Sequence, residues 1–89
     1  MDTFYNYVIK SLKDGKFYIG LTSDLNKRMN DHKKGKVDST KYRRPFLLVY
    51  YEVSFNYESA VHREKYLKTT YGHRYLRNRL NDNPQGLPL

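Results

Sequence analysis

Charged side chains interrupt the apolar stripes of two predicted helices. Arg28 and His32 follow Leu25 at helical spacing, and Glu64 lies three residues before Leu67. A charge at the edge of a buried stripe is unfavourable unless it is paired or binds a metal. The pattern therefore predicts either a structural ion pair between Arg28 and Glu64 or a functional site built from the two helices.

Two tyrosines lie on either side of a predicted hairpin turn at Asp14 and Gly15. If the loop has two or four residues, Tyr7 and Tyr18 lie on one face of the sheet; a three-residue loop with a bulge places them on opposite faces. Ordinary packing is the alternative for each ring, because the chain has ten tyrosines. Gly20 indicates a close backbone approach or simply the end of a strand.

Composition narrows the class of protein. The 89 residues include 17 Lys and Arg against 9 Asp and Glu, which gives a formal net charge of +8. Such a chain is expected to bind a polyanion, with nucleic acid as the default, and its 16% aromatic content excludes a disordered basic tail. The absence of cysteine excludes disulfides and thiolate metal sites. We expect a cytoplasmic protein without a signal peptide or membrane span, since the longest apolar run, 46–51, is far too short to cross a bilayer.

Basic residues are interleaved with tyrosines, as in surfaces that contact phosphates and stack on bases. A solvated surface that only keeps the protein soluble is the alternative, and the charge of +8 favours nucleic-acid binding. The predicted contact residues are Lys16, Lys33, Lys34, Lys41, Arg43 and Arg44.

The order of predicted elements is β-β-α-β-α-α, which favours an α/β or α+β arrangement with helices packed on a small sheet. The predicted strands are 4–10, 16–20 and 46–53. The first predicted helix is capped by Ser23 or Asp24 and ends at about Lys34, the second is capped by Asn56 and ends at about Thr69, and the third covers 74–80. Gly72 is expected to interrupt the last two, with a loop at 36–44 and a frayed tail at 81–89. No clustered carboxylates, phosphate-binding glycine loop or serine elbow occurs, so a two-metal nuclease, a nucleotide-binding fold and a serine hydrolase are disfavoured.

The triplet Tyr18-Ile19-Gly20 reads YIG, with Tyr7 eleven residues before Tyr18, Arg28 ten after it and His32 four residues further. Together with Glu64, this order resembles the GIY-YIG nuclease superfamily over 4–80. The segments LKDGKFYIG, STKYRRP, LVYYE and HREKYLK are similar to small stand-alone bacterial members, which are related to the catalytic subunit of the excision-repair nuclease. The first triad departs from the pattern, because it reads Tyr5-Asn6-Tyr7.

The resemblance implies a three-stranded antiparallel sheet flanked by helices and hydrolysis of phosphodiester bonds with one divalent ion, Mg²⁺ or Mn²⁺. It implies that Glu64 binds the metal, that Arg28 contacts the scissile phosphate and that Tyr7 acts as general base or orients water. Tyr18 and His32 would assist. The family often has an asparagine in its last helix; Asn78 is the better candidate for nucleic-acid binding and Asn81 the weaker.

We therefore predict a metal-dependent endonuclease domain at 1–80 and a flexible tail at 81–89. Its substrate is expected to be DNA, cut with structure selectivity or weak specificity in repair or recombination. Repair proteins are possible partners, and the expected state is a monomer or a weak dimer. The alternatives are an inactive nucleic-acid-binding module of the same fold and a protein-interaction domain whose charge serves solubility. If the nuclease prediction is right, Tyr7, Tyr18, Arg28, His32 and Glu64 should converge on one concave patch of a sheet face.

Overall fold

A four-stranded antiparallel sheet, in the order β2-β1-β3-β4, carries the helices. The structure is a computed structural model that describes residues 2–81 and 84–89. The strands are β1 Phe4–Ser11, β2 Phe17–Thr22, β3 Phe46–Ser54 and β4 Leu87–Pro88. The predicted α+β class is confirmed, but the sheet has four strands rather than three.

Three α-helices pack on this sheet: α1 Leu25–Lys33, α2 Tyr57–Leu67 and α3 Thr70–Leu80. Asp24 caps α1 by accepting from the Lys27 N–H, and Asn56 caps α2 in the same way, so both helices begin where the sequence predicts. The segment predicted as a loop at 36–44 contains one 3-10 turn, Lys41–Arg43.

The third helix begins earlier than predicted. Gly72 does not interrupt the helices; it lies in the first turn of α3, and its N–H donates to the Thr69 hydroxyl at 3.1 Å. A Cβ at Gly72 would overlap the main chain of Tyr66 and Leu67. The glycine is therefore needed for the close approach of α3 to the end of α2, which its sequence context does not reveal.

Part of the predicted tail belongs to the sheet. Leu87 and Pro88 pair with β3, and the Leu89 N–H donates to the Phe46 carbonyl at 3.0 Å. Leu89 also packs against the core. The short strand was missed because two prolines and a glycine are typical of coil. Residues 82 and 83 of the predicted tail lie outside the described residues.

The sheet separates two layers of core, and β1 contributes to both. On the α1 face, Tyr7 and Ile9 pack with Met29 of α1 and with residues of β3. On the α2–α3 face, Val8 packs with Leu67 and other apolar side chains. This alternation of side chains along β1 is the ordinary period of a strand, and it decides which residues can reach the candidate site.

Candidate functional site

The hairpin places the two tyrosines of the predicted site on the same face. Residues 12–15 form a four-residue loop closed by the Ser11 N–H, which donates to the Lys16 carbonyl at 2.9 Å. In this register Tyr7 and Tyr18 both lie on the α1 face, with ring centroids 6.4 Å apart. The even loop length is thus one of the two that the sequence argument required for a shared face.

The glycine of the YIG triplet makes room for the Tyr7 ring. Gly20 pairs with Tyr7 across the two strands, and a Cβ at Gly20 would overlap the phenol ring and its hydroxyl oxygen. Any other residue here would have to displace a fully buried tyrosine. Gly20 therefore serves a close approach inside the candidate site, rather than ending the strand.

The hydroxyl of Tyr7 joins two predicted site residues from α1. The Arg28 Nε–H donates to the Tyr7 oxygen at 3.4 Å, and the same oxygen lies 2.7 Å from His32 Nε2. Because a guanidinium can only donate, the Tyr7 oxygen accepts from Arg28 and its proton is free to point at His32. The neutral imidazole then accepts at Nε2.

The other nitrogen of His32 completes a one-way chain of hydrogen bonds. His32 Nδ1 lies 2.8 Å from the Thr40 hydroxyl oxygen, and that hydroxyl in turn donates to the Val37 carbonyl at 3.4 Å. Since Thr40 gives its proton to the carbonyl, its oxygen accepts from Nδ1–H. The network therefore assigns the tautomer of His32, and both His32 and Thr40 are completely buried.

Burial keeps the side chains of Tyr7 and His32 neutral. It raises the pKa of Tyr7 to about 12, although the hydrogen bond and charge of Arg28 act in the opposite direction. Burial also lowers the pKa of His32 to about 4, and the positive charge of Arg28 adds to the effect. At neutral pH the free protein thus places the neutral Tyr7 phenol against a neutral His32 imidazole.

Tyr18 lies at the more open side of the same group. Its ring centroid is 5.4 Å from that of His32, and its hydroxyl accepts a hydrogen bond from the Ser39 hydroxyl at 3.3 Å. Tyr18 is partly exposed whereas Tyr7 is buried, so the two tyrosines differ in their access to a ligand.

Glu64 reaches this region from the opposite layer. It belongs to α2, and α2 packs on the other face, where the buried Asn6 amide donates to the Ala60 carbonyl at 3.0 Å. The Glu64 carboxylate lines a cavity beside the end of β2, and its charge adds to the raised pKa of Tyr7. The structure therefore brings four predicted residues together on one face, with Glu64 at an adjacent cavity rather than on that face.

The alternative of a structural ion pair between Arg28 and Glu64 does not hold in the structure. The ion-pair partner of Glu64 among the described residues is Lys68, one turn along α2, at 3.4 Å. Arg28 is instead bonded to the Tyr7 hydroxyl. An exposed pair of this kind contributes only ~0.5 kcal/mol, so the position of Glu64 has little value for stability.

The donor set at Glu64 fits a magnesium ion that is completed by substrate. Within 2–81 and 84–89, no group of three His, Cys, Asp or Glu residues could hold a metal. Mg²⁺ is commonly held by one or two carboxylates, with waters and substrate phosphates as its other ligands. Glu64, partly exposed beside an open cavity, suits that mode of binding rather than a closed protein cage.

The predicted nucleic-acid-binding residues separate into groups. Lys33, Lys41 and Arg44 line one cavity, together with His32, whereas Lys16 lines a cavity on the α2–α3 side.

Arg43 already forms an ion pair with Asp14 of the β1–β2 turn. Its Nε–H donates to the Asp14 carboxylate at 2.8 Å, and this guanidinium holds the pKa of Asp14 well below its usual range. Lys34 is exposed at the end of α1, and Asn78 is exposed on α3, in the other layer. Asn81, the weaker candidate, forms the C-terminal cap of α3.

The unusual first triad has a structural explanation. The Asn6 side chain is buried against α2 through its bond to Ala60, and the Tyr5 ring packs edge to face with Tyr51. Neither substitution alters the placement of Tyr7 on the α1 face. The departure from the family pattern therefore lies in residues that support the strand.

Thr40 is the member of the site that sequence reasoning missed. It lies inside STKYRRP, a segment that carried the resemblance, but a threonine in a polar loop has no periodicity to mark it as buried. Two facts could have identified it: the loop must return over α1 to reach β3, and a buried histidine needs a partner for its second nitrogen.

Comparison with known proteins identifies the family of the chain. The GIY-YIG catalytic domain model matches residues 3–81. A UPF0213 protein of Staphylococcus saprophyticus is 41% identical over 70 residues, covering 78% of this chain and 84% of that protein. A UPF0213 protein of Staphylococcus aureus is 39% identical with the same coverage.

A solved structure is similar along most of the chain. The solution NMR structure of a UPF0213 protein from Bacillus halodurans has a TM-score of 0.56 and 29% identity, covering 90% of this chain and 87% of that one. Of the helices described here, none has the length and apolar character needed to cross a membrane. The chain belongs to the GIY-YIG catalytic domain family.

Proposed function

We propose that this protein is a divalent-metal-dependent endonuclease that hydrolyses phosphodiester bonds in DNA. The observation that carries the proposal is the Tyr7 hydroxyl, which accepts from Arg28 and lies 2.7 Å from an unprotonated His32 nitrogen. A group that binds phosphate, a hydroxyl and a proton acceptor thus meet at one oxygen. Hydrolysis of a phosphodiester needs those three functions together.

Arg28 is suited to hold the scissile phosphate. It is partly exposed and lines a cavity with Thr22, Ser23 and Asp24 at the start of α1. Only its Nε–H is bonded among the described contacts, so the terminal N–H groups can bind two phosphate oxygens. Binding there would also draw the guanidinium away from Tyr7 and open the hydroxyl to an attacking water.

The direction of the hydrogen bonds defines a path for the proton. Tyr7 would accept a proton from the attacking water while its own proton passes to His32 Nε2. Thr40 would hold the imidazole in the required tautomer and accept from Nδ1–H throughout. The pKa values of about 12 for Tyr7 and about 4 for His32 mean that this transfer is unfavourable in the free protein. The charges of the bound substrate and its cation must therefore shift these two pKa values towards each other before the proton can pass.

A cation held by Glu64 would stabilise negative charge on the phosphate and on the leaving oxygen. Phosphate oxygens and water would complete its ligands, as proposed above from the single carboxylate. The net charge of +8 and the small size of the domain favour contacts to the DNA backbone over base readout. We accordingly propose structure selectivity or weak specificity, with a role in repair or recombination.

The test is a cleavage assay with Mg²⁺ or Mn²⁺ on supercoiled, single-stranded and branched DNA. Glu64→Gln should lose cleavage by about a thousandfold, because the change removes the metal ligand. Its melting temperature should stay within about 2 °C of wild type, since the pair with Lys68 is exposed.

Glu52→Gln is the matched control, because it removes the same charge from a carboxylate that is bonded away from the candidate site. Glu52 binds Arg63 at 2.5 Å and accepts from the Tyr50 hydroxyl at 2.6 Å. This variant should lose about 1–2 kcal/mol of unfolding free energy and keep its cleavage rate. A wild-type protein that binds DNA but cleaves none of the three substrates would leave the inactive binding module as the function.

A further inference from the structure

A cavity of about 470 Å³ is lined by His32 and by Lys33 at the C-terminal end of α1. Four cationic side chains line it, and we call it the basic cavity: Lys13, Lys33, Lys41 and Arg44. They come from three separate parts of the chain, namely the β1–β2 turn, the end of α1 and the segment before β3. Like charges repel, so a fold that gathers them needs a compensating interaction.

Two of the four cations are held by neutral groups. Lys13 Nζ donates to the Tyr42 carbonyl at 3.0 Å, and Arg44 donates to the carbonyls of Lys41 and Lys33 at 2.9 and 3.2 Å. A carbonyl fixes the position of a cation without cancelling its charge. No acidic side chain lines the cavity within the described part of the chain, although Leu89, the last residue of the sequence, also lies in its wall.

A single acidic side chain lies nearby. Asp38 forms an ion pair with Lys41 at 3.3 Å, but its side chain is 94% exposed, so the pair is strongly screened by solvent. When the terminal carboxylate of Leu89 is counted with Asp38, two carboxylates against four cations still leave the basic cavity with a net positive charge.

The local backbone is shaped around one of these cations. Gly35 follows α1 with φ of +74°, and a Cβ there would lie 2.7 Å from the guanidinium carbon of Arg44. The guanidinium therefore rests on a glycine that leaves it space, in a turn that only a glycine adopts without strain. Positive charge is thus positioned before any ligand arrives, which lowers the ordering cost of binding.

We propose that the basic cavity binds a second phosphate of the strand whose scissile phosphate lies at Arg28. Arg28 and Lys33 are both on α1, five residues apart, which corresponds to about 7.5 Å along the helix axis and about 140° around it. A strand of duplex DNA carries one phosphate per about 3.4 Å of axis, so the next phosphates of the same strand reach the level of Lys33 within roughly two nucleotides. The exposed ring of Tyr42, beside Lys41, offers a surface for the adjoining sugar or base.

This inference uses the proposed function for the identity of its ligand, but equilibrium binding tests it without cleavage. The test uses the full chain carrying Glu64→Gln, so that DNA stays intact, and measures affinity for a short labelled oligonucleotide across a salt series. Adding Lys13→Met should weaken binding several-fold at low salt and reduce the log–log salt slope by about 0.7–0.9, as expected for one lost phosphate contact.

Lys65→Met is the control, because it removes the same charge from an exposed position on α2. It should change neither the affinity nor the slope by a comparable amount. Equal effects of Lys13→Met and Lys65→Met would overturn the proposal. If Lys13→Met lowers the melting temperature, Lys41→Met removes another cation of the cavity and must show the same loss of affinity.

A second arm uses inorganic phosphate as the probe. In amide NMR spectra, phosphate should shift the signals of Thr40 and Tyr42, and Lys13→Met should weaken that phosphate binding several-fold. Phosphate shifts with an unchanged oligonucleotide affinity in Lys13→Met would overturn the assignment to a strand and leave free phosphate as the ligand. A failure of the nuclease assay would not alter either binding result, so the two proposals fail independently.

Discussion

The two faces of the sheet are built from neighbouring residues but serve different ends. Tyr7 and Val8 are adjacent on β1, and both are completely buried. Tyr7 faces α1, where its hydroxyl meets Arg28 and the His32–Thr40 chain. Val8 faces α2 and α3, where it packs with Leu67 and Leu76 in a layer that also holds the buried Asn6 amide. Two adjacent residues of one strand thus face different surroundings: hydrogen-bonded polar side chains on the α1 side and a largely apolar core on the α2–α3 side.

Stability and chemistry are expected to come from different faces of the sheet. Buried apolar area stabilises by about 25 cal/mol per Å², whereas a buried hydrogen bond gains only ~1 kcal/mol over its hydrated partners. The α2–α3 face should therefore supply stability, and the polar chain on the α1 face should contribute mainly to positioning. Mutations on the two faces should separate the two properties.

The largest expected effect is on catalysis, from Tyr7→Phe. Loss of the hydroxyl removes the proposed proton acceptor and should lower the cleavage rate by about a thousandfold. The ring still fills its space against Gly20. Unfolding free energy should fall by only about 1–2 kcal/mol, because His32 Nε2 loses its partner. Cleavage kinetics and urea unfolding measure the two effects.

Val8→Ala should give the reverse result. Truncating a fully buried valine costs about 1–3 kcal/mol of unfolding free energy, with little change in the cleavage rate of the folded protein. If both variants lost the same fraction of activity and stability, the two faces would not be separable, and Tyr7 would be a core residue.

The elements that sequence could predict are those with a local signal. The turn at Gly15 fixed the hairpin, and side-chain caps at Asp24 and Asn56 marked the starts of α1 and α2. These features depend on residues a few positions apart, so their physics is visible in the sequence.

The features that sequence missed depend on distant contacts. Gly72 is needed because α3 touches the end of α2, and β4 forms because β3 offers an open edge to Leu87. The ion pair of Arg43 with Asp14 likewise joins residues 29 positions apart, and nucleic-acid binding by Arg43 stays a prediction. The position of Glu64 was also not predictable from local sequence, because the packing of α2 on the sheet decides which layer it comes from.

An intermediate effect is expected on the pH dependence of stability. The pKa of His32 is 6.5 in an unfolded chain and about 4 in the folded protein, so the unfolded state binds more protons between these values. His32 therefore contributes stability that is full above pH 6.5 and is lost as the pH falls towards 4. At about 1.4 kcal/mol per pH unit, the loss amounts to roughly 3 kcal/mol.

Urea unfolding at several pH values between 7.5 and 4 measures this loss, and His32→Gln is the control. The variant lacks the titrating group, so its unfolding free energy should vary much less over that range. Asp14 acts in a separate window, because its lowered pKa affects stability only at more acidic pH. Parallel curves for wild type and His32→Gln would show that His32 is solvated, and the one-way chain from Tyr7 to Thr40 would then be wrong.

The smallest expected effect compares single lysines on the two layers. Lys34 is exposed at the end of α1, and Lys65 is exposed on α2. If the DNA backbone lies along the α1 face, Lys34→Met should weaken DNA binding a few-fold and reduce the log–log salt slope by about 0.9. Lys65→Met should leave the slope unchanged, although both variants lower the net charge of +8 to +7. Because the overall charge changes equally, only a contact on one face can separate the slopes, and equal slopes would mean that the protein binds DNA through its net charge alone.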